Sequence, residues 1–227
     1  MGAARLSWDG YARAWAGLHG GYDPRQASPW MCRWLRLAYR LGVVLSRLRL
    51  RPTAVTFVGL VLSVLVPLAV RHGGVGPFLA AGLVVLAGLA DSVDGALAIV
   101  TGRTTRLGHL YDSLADRLGE AAWLAAFWLL GAPAALVVSV GALGWLHEYL
   151  RSRAIGAGMR GLGRVTAGEY PVRVAIAAGG LLLAGAAGWV GADLAAGTVT
   201  AVGAIWGFVA LLGFGQLLGS ARDALRS

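Results

Sequence analysis

Residues 91–116, DSVDGALAIVTGRTTRLGHLYDSLAD, carry the pattern from which the architecture of this chain follows. The whole chain has 11 acidic residues, yet four aspartates fall in this stretch, within segments otherwise apolar enough to span a membrane. Asp91 and Asp94 are three residues apart, and Asp112 and Asp116 are four apart, so each pair lies on one face of a helix. A helical hairpin would bring the two acidic faces together at similar depth. Ionisable groups at membrane depth are costly and indicate function.

These carboxylates predict a metal site. Four like charges in a partly dry site raise one another's pKa unless cations neutralise them. Carboxylate oxygens suit Mg²⁺, Mn²⁺ or Ca²⁺. Two other interpretations stay open. The aspartates could form buried ion pairs with Arg117, Arg103 or Arg106, or they could form a proton relay in a cation-coupled transporter.

The composition is typical of an all-α, polytopic membrane protein. Hydrophobic residues make up 57% of the chain and charged residues 14%, with a mean hydropathy of +0.67, whereas a soluble domain has about 25% charged residues. About 20 apolar residues are needed per span. Hydropathy predicts six transmembrane helices, at about 53–70, 77–100, 106–130, 133–150, 172–191 and 195–218. We expect a cytoplasmic segment over 1–52, the transmembrane domain over 53–218 and a cytoplasmic tail over 219–227.

The distribution of basic residues predicts the orientation in the membrane. All 20 basic side chains are arginines, and nearly all lie before the first span, in the second and fourth connections, or in the tail. By the positive-inside rule both termini and these connections face the cytoplasm of a cell membrane. Because the charge lies in connections between apolar segments, nucleic acid is not an expected partner.

The segment before the first span is predicted to form an amphipathic helix. Ser28 followed by Pro29 is typical of a helix start, and the pattern continues to Leu48. One stripe is apolar (Trp30, Trp34, Leu37, Leu41, Leu45), and its neighbour is basic (Arg33, Arg36, Arg40, Arg47). Such a helix lies in the membrane interface with its arginines on anionic headgroups. Packing against the cytoplasmic ends of the bundle is a compatible alternative.

The acidic motif resembles a known signature. Asp91-x2-Asp94-Gly95-x2-Ala98, followed by Gly108-x3-Asp112-x3-Asp116, is similar in every spacing to that of the CDP-alcohol phosphatidyltransferase family. Residues 51–56, RPTAVT, also resemble the family's proline-to-threonine segment at the mouth of the first span. One position departs from the pattern, because Ile99 stands where the family has an arginine.

This resemblance implies a function for the motif. Family members transfer a phosphatidyl group from CDP-diacylglycerol to an alcohol, release CMP, and are usually homodimers. The resemblance implies that two Mg²⁺ or Mn²⁺ ions are held by Asp91, Asp94, Asp112 and Asp116, with Asp116 also acting as general base. It implies binding of the CDP-lipid by Pro52, Thr56, Asp91, Gly95, Ala98 and Gly108. We expect Arg103 or Arg106 to replace the missing motif arginine. Tight helix packing is the alternative role for the two glycines.

Three arginines around the fourth connection predict the acceptor. Arg151, Arg153 and Arg173 lie on the side of the acidic motif, and guanidinium groups suit a phosphate dianion. We therefore expect an acceptor that carries a phosphate. Inositol phosphate is favoured by a resemblance to the phosphatidylinositol-phosphate synthases, and glycerol 3-phosphate or phosphatidylglycerol would make a related phospholipid synthase. Alternatively, these arginines only enforce orientation and bind lipid headgroups, or the chain is a non-catalytic scaffold.

Overall fold

The computed structural model describes residues 6–18, 21–159 and 166–226. Within these ranges it contains α-helices and one short 3-10 turn, Gly73–Val75, and no strand, which confirms the predicted all-α class. The helices are α1 Trp8–Leu18, α2 Pro29–Arg47, α3 Pro52–Ala69, α4 Gly76–Thr101, α5 Arg106–Leu129, α6 Ala134–Gly156, α7 Tyr170–Gly188 and α8 Ala192–Arg226.

The six predicted spans each coincide with one helix from α3 to α8. By length and composition, four helical segments of the described chain can cross a membrane: Pro52–Ala69, Gly73–Thr101, Tyr170–Gly188 and Ala192–Arg226. Helices α5 and α6 are long enough, but they carry the ionisable side chains of the motif and of the fourth connection. The apolar helices indicate a membrane protein, and the count of six spans stays a prediction.

The turn between the two acidic helices is set by Gly102. Its φ of +64° is a left-handed conformation that favours glycine. The N–H of Arg103 bonds to the Ala98 carbonyl at 2.8 Å, and the N–H of Gly102 bonds to the Ile99 carbonyl at 3.2 Å. This pair of bonds is a Schellman motif, which satisfies the last carbonyls of α4. The chain can therefore reverse within the few residues that separate α4 from α5.

Two compact units divide the described chain, and each is considered by itself. The first consists of Met1–Gly59 and Leu89–Ala115. Its buried apolar residues come from α1 to α4: Tyr11, Ala38, Val55, Val93, Ala96 and Leu97. Helix α2 lies where the amphipathic helix is predicted, and it packs closely on α4, because a Cβ on Gly42 would come within 3.1 Å of the Leu97 backbone nitrogen.

The buried face of α2 differs in part from the predicted apolar stripe. Leu35, Ala38 and Gly42 are its buried residues, while Trp30 and Leu37 are 58% and 43% exposed. Helix α2 therefore packs on α4, which is the second of the two roles predicted for it. Exposed apolar side chains remain available to a membrane interface, and the interfacial role stays a prediction. Helix α1, which packs on α2, is not foreseen by the sequence analysis.

The second unit consists of Leu60–Gly88 and Asp116–Ser227. Helix α8 packs against both α6 and α7, and large buried side chains such as Trp123, Phe127 and Leu181 fill the core. Small residues permit the close approach of these helices, as is usual in membrane bundles. For example, a Cβ on Gly180 would come within 2.7 Å of the Phe127 ring. This unit holds the arginines of the fourth connection.

Candidate functional site

Three of the four motif aspartates come together at one place. Carboxylate oxygens of Asp91, Asp112 and Asp116 all lie within 4.8 Å of one another. Asp91 is on α4, and Asp112 and Asp116 are one turn apart on the unbroken helix α5. The three side chains are half-buried. A set of three converging carboxylate oxygens fits a hard divalent cation such as Mg²⁺ or Mn²⁺.

Two of these carboxyl groups are close enough to interact directly. Asp91 and Asp112 lie within hydrogen-bonding distance of each other. Two carboxylates can approach so closely only when a proton or a cation lies between them. The chemistry of the donor set therefore fits a metal centre. Arg117, one of the arginines considered as a partner of the aspartates, forms an ion pair with Glu120 at 2.8 Å.

Asp94 occupies a different environment from the other three aspartates. It is 4% exposed, and its Oδ2 accepts a hydrogen bond of 2.5 Å from the Thr56 hydroxyl. Thr56 is one turn after Pro52, the first residue of α3, whose carbonyl is 3.2 Å from the same hydroxyl. The predicted proline-to-threonine segment thus reaches the acidic motif through Asp94.

The two motif glycines have different surroundings, and neither faces a neighbouring helix closely in the described chain. A Cβ on Gly95 would meet no atom of the described chain within 4 Å. A Cβ on Gly108 would meet only the Thr105 hydroxyl, at 3.0 Å, which already accepts a hydrogen bond from the Gly108 N–H. Tight packing against a neighbouring helix, the alternative role for both glycines, does not occur in the part of the chain that is described. Ala98, one turn after Gly95, is half-buried.

The connection after α4 carries the two arginines expected to replace the missing motif arginine. Arg103 and Arg106 are both exposed. Ile99 is half-buried and packs against the apolar cluster of the first unit. At this position the chain therefore uses an apolar contact where the family has a guanidinium group.

Arg173 is buried in an ion cluster within the second unit. Its Nε lies 3.0 Å from Glu120 Oε1, although the N–H is not aligned for a hydrogen bond. The same Glu120 oxygen accepts a hydrogen bond of 2.8 Å from Arg117 Nη2. All three side chains are at most 8% exposed. Two guanidinium groups thus share one carboxylate, and a cavity of about 10 Å³ beside them, also lined by His147, has room for about one water molecule.

Arg151 belongs to a second network around Glu169. Arg151 Nη2 donates to Glu169 Oε1 at 2.8 Å, and the Thr166 N–H and hydroxyl donate to the same oxygen at 3.1 and 3.0 Å. His147 Nε2 is 3.2 Å from the Thr166 hydroxyl. Since that hydroxyl has one proton and gives it to Glu169, His147 Nε2 must be the donor of this contact. The network joins the C-terminal part of α6, which carries His147 and Arg151, to the residues directly before α7.

Arg153 is not brought together with the other two predicted acceptor arginines. It is two residues from Arg151, which places it on the opposite side of α6. It is exposed and lines a groove between α6 and α8. Arg153 and Arg151 are predicted to act together from the sequence, although the rotation of 100° per residue in a helix places them on opposite sides of α6.

Several residues of these networks are missed by the sequence analysis. Glu120, which forms ion pairs with Arg117 and Arg173, is not among the predicted site residues. Thr166 and Glu169 are not expected to hold Arg151. Helical phase could separate Glu120 from Asp116, because four residues correspond to slightly more than one turn. Thr166 and Glu169 are three residues apart just before α7, the spacing of a capping box, in which the glutamate accepts a hydrogen bond from the backbone N–H of the threonine.

Known proteins are similar to this chain over the region that contains the acidic motif. The family model described as CDP-alcohol phosphatidyltransferase matches residues 49–211. An archaetidylinositol phosphate synthase of Aeropyrum pernix is 33% identical over 94 residues, which cover 40% of this chain and 48% of that protein. A phosphatidylinositol phosphate synthase of Mycolicibacterium smegmatis is 38% identical over 96 residues, covering 39% of this chain and 42% of that protein. The chain thus spans about half the length of these two curated relatives.

Solved structures share the fold. The Mycobacterium tuberculosis phosphatidylinositol phosphate synthase in complex with manganese and citrate superposes with a TM-score of 0.65 at 23% identity, covering 82% of this chain and 90% of that one. The same enzyme with CDP-DAG bound gives a TM-score of 0.61 at 23% identity, covering 82% and 95%. At this identity the likeness concerns the arrangement of helices.

Proposed function

The chain belongs to the CDP-alcohol phosphatidyltransferase family, and we propose that it transfers a phosphatidyl group from CDP-diacylglycerol to a phosphate-bearing alcohol, releasing CMP. The observation that carries this proposal is the convergence of Asp91, Asp112 and Asp116, whose carboxylate oxygens lie within 4.8 Å of one another. The bound CDP-DAG of the mycobacterial neighbour supports the choice of donor.

The proposed metal ligands are the motif aspartates. Asp91, Asp112 and Asp116 offer the converging oxygens, and Asp94 is held one turn from Asp91 by Thr56. We expect two Mg²⁺ or Mn²⁺ ions, a choice supported by the manganese in the mycobacterial neighbour. When bound, such ions neutralise the charge of a diphosphate and of the leaving CMP.

Asp116 is the proposed general base. The acceptor hydroxyl oxygen forms a bond to the phosphorus that carries diacylglycerol, the bond from that phosphorus to the CMP oxygen breaks, and Asp116 takes the hydroxyl proton. CMP leaves with the electron pair of the broken bond. Because Asp116 is one helical turn from Asp112 and its carboxylate converges with that of Asp112, a diphosphate bound at the motif would lie within its reach.

The proposed donor contacts lie around the first turn of α3 and the end of α4. The open space beside Gly95 would allow the nucleotide to approach the helix backbone, because a glycine has no side chain to occupy it. At Gly108 the neighbouring Thr105 hydroxyl lies 3.0 Å from the position of a Cβ, so a side chain there would crowd the same face. Ala98, Pro52 and Thr56 border the same motif. The exposed Arg103 and Arg106 are free to turn toward the diphosphate, which compensates for Ile99.

Inositol phosphate is the proposed acceptor. Both the archaeal and the mycobacterial relatives are named as synthases of inositol phosphate lipids. Arg151 and Arg173 are the proposed contacts to the acceptor phosphate, since each holds one carboxylate partner and retains further N–H groups. Arg153 lies on the other side of α6 and is not included in this proposed contact.

We place the active site and both termini on the cytoplasmic side of the cell membrane. This proposal rests on the arginine distribution. A homodimer is proposed from the family resemblance. The protein mass of the detergent-solubilised particle tests it, and we expect twice the mass of one 23.4 kDa chain.

Release of CMP from radiolabelled CDP-diacylglycerol tests the proposal. Purified protein should release CMP only with Mg²⁺ or Mn²⁺ and an acceptor present, and Asp112→Asn or Asp116→Asn should lower kcat at least about 100-fold, as expected when the metal ligands and the base are removed. Asp193→Asn, an exposed carboxylate at the start of α8, is the matched control. Full activity of the Asp112 and Asp116 variants would refute the site.

Acceptor identity needs a parallel comparison. Inositol phosphate, glycerol 3-phosphate, phosphatidylglycerol and free inositol are offered separately, and the lipid product is identified. We expect a product only with inositol phosphate. A product from free inositol alone would refute the phosphate-bearing acceptor, and cation flux into vesicles without CMP release would favour a transporter.

A further inference from the structure

A groove in the second unit is lined by arginines and apolar side chains together. It lies between the C-terminal ends of α6 and α8 and has a volume of about 490 Å³. Its basic residues are Arg153, Arg222 and Arg226, and its apolar residues include Leu150 and Leu218. The volume is within the range of ligand sites, about 300–1,000 Å³. None of the motif aspartates or proposed donor contacts lines it.

The basic residues of the groove are not neutralised by the rest of the described chain. No carboxylate of residues 6–18, 21–159 or 166–226 forms an ion pair with Arg153, Arg222 or Arg226. By contrast, the nearby Arg151 and Arg173 each have a glutamate partner. Three unneutralised guanidinium groups around one concave surface favour an anionic ligand, and their planar N–H groups match a phosphate.

Apolar and basic residues follow one another along the helix axes. Val140 lies beside Gly207 and, further along both helices, Ala154 packs with Ala221, so α6 and α8 run in the same direction. Leu150 precedes Arg153 by about one turn, and Leu218 precedes Arg222 by about one turn. On both α6 and α8, therefore, a leucine lies nearer the middle of the helix and an arginine lies nearer its C-terminal end.

Length places the basic end of this groove at the membrane surface. Helix α8 has 35 residues, about 52 Å at 1.5 Å per residue, whereas the hydrocarbon core is about 30 Å thick. With α8 centred on the bilayer, Leu218 lies about 14 Å from the midplane, within the half-thickness of the hydrocarbon core of about 15 Å. Arg222 and Arg226 then lie about 20 Å and 26 Å from the midplane, at and just beyond the level of the headgroups. Leucines nearer the hydrocarbon and arginines at headgroup level match the polarity of a phospholipid.

We propose that the groove between α6 and α8 binds an anionic phospholipid of the surrounding membrane, with its phosphate on Arg153, Arg222 and Arg226 and an acyl chain along Leu150 and Leu218. The buried contact of Ala154 with Ala221 forms the floor on which that chain would lie. This site is separate from the proposed reaction and would hold a lipid that is not consumed.

Native mass spectrometry of the detergent-solubilised full chain measures this binding directly. The protein is titrated with dioleoylphosphatidylserine and, separately, with dioleoylphosphatidylcholine, which has the same chains but no net charge. We expect the first phosphatidylserine to bind at least ten-fold more tightly. Arg222→Gln with Arg226→Gln should weaken it ten- to thirty-fold, since each arginine near an anionic headgroup contributes about five-fold. Arg222→Lys with Arg226→Lys keeps the charge and should stay within a few-fold of the parent.

A second variant tests the groove itself rather than its charge. Ala157→Trp would fill the groove while it leaves every arginine in place, and it should abolish the tight binding. Ala142→Trp, at an exposed position of the same helix outside the groove, is the control and should bind normally. Equal affinity for both lipids, unchanged binding by the glutamine pair, or unchanged binding by Ala157→Trp would overturn the proposal. Loss of a dimer by the glutamine pair, with no effect on lipid, would show that a second copy of the chain occupies the groove.

Discussion

The Thr56 hydroxyl donates a hydrogen bond of 2.5 Å to the Asp94 carboxylate, and this bond joins the first turn of α3 to the acidic face of α4. Asp94 is 4% exposed, so the carboxylate depends on protein donors rather than on solvent for its orientation. Partners that orient a metal-binding carboxylate are as important for its function as the ligand itself. Thr56 is therefore a positioning residue for the proposed metal centre.

Thr56→Val should reduce metal affinity and activity. Valine keeps the shape of threonine and removes the hydroxyl, so Asp94 loses the hydrogen bond from Thr56. We expect the Mn²⁺ concentration for half-maximal CMP release to rise about 10- to 100-fold. Thr56→Ser should restore most of the activity. Thr53→Val, an exposed threonine in the same turn of α3, is the control. An unchanged metal dependence in Thr56→Val would show that the bond does not position Asp94.

Gly95→Ala separates substrate approach from helix packing. Because a Cβ at Gly95 meets nothing within 4 Å, and alanine is the better helix former, the variant should be about 0.5 to 1 kcal/mol more stable than the parent. If the nucleotide approaches this backbone, the KM for CDP-diacylglycerol should nevertheless rise, by about ten-fold or more for a partial clash.

Gly82→Ala is the matched control for that variant. Gly82 lies on the same helix α4 and is equally open around its Cβ. It should show the same gain in thermal stability with no change in KM. A Gly95→Ala enzyme with the parent KM would contradict the proposed approach of the nucleotide.

The sequence was sufficient to predict the helices and the motif. All six predicted spans coincide with helices because long apolar segments have few alternatives to helix, and the i, i+3 and i, i+4 spacings place Asp91, Asp112 and Asp116 correctly on their faces. Spacing could not reveal that Asp94 is held by Thr56, since that contact joins residues far apart in the chain. The same is true of Glu120 and Arg173.

Helix α1 was missed for a different reason. It has only 11 residues, two of which are glycines, which are poor helix formers. Short helices are marginal on their own and form because tertiary contacts stabilise them. Here Tyr11, 1% exposed, packs in the cluster shared with α2 and α4. The burial of that side chain, rather than local preference, explains the helix.

Glu120→Gln should destabilise the second unit strongly. Glu120 is the shared partner of two buried guanidinium groups, Arg117 and Arg173. Removing the charge of one partner leaves the others buried and unneutralised, which costs about 3–5 kcal/mol. The loss is measured as a lower thermal midpoint in detergent. Asp9→Asn removes a 62% exposed partner of Arg25 and should change stability by less than about 1 kcal/mol. Equal midpoints for the two variants would contradict the importance of the buried cluster.

Glu169 should make stability depend on pH in the acidic range. Burial by itself would raise the pKa of Glu169, but the hydrogen bonds from Arg151 and Thr166 outweigh burial and hold the pKa below its usual value. A carboxyl group whose pKa is lower in the folded state stabilises the fold above its unfolded pKa, about 4.3. That stabilisation is lost as the pH falls through the folded pKa.

Glu169→Gln should therefore be costly at neutral pH and harmless in acid. At pH 7 we expect a loss of roughly 1 to 2 kcal/mol, because the amide cannot accept charge-assisted hydrogen bonds from Arg151. As the pH falls below the unfolded pKa of about 4.3, the unfolded parent takes up a proton before the folded protein does, so the advantage of the charged carboxyl shrinks and the thermal midpoints of parent and variant should converge. Asp193→Asn, measured in parallel, reports the general effect of removing one exposed carboxylate. A constant difference between Glu169→Gln and the parent from pH 7 to pH 3 would show that Glu169 is not the charged partner of Arg151.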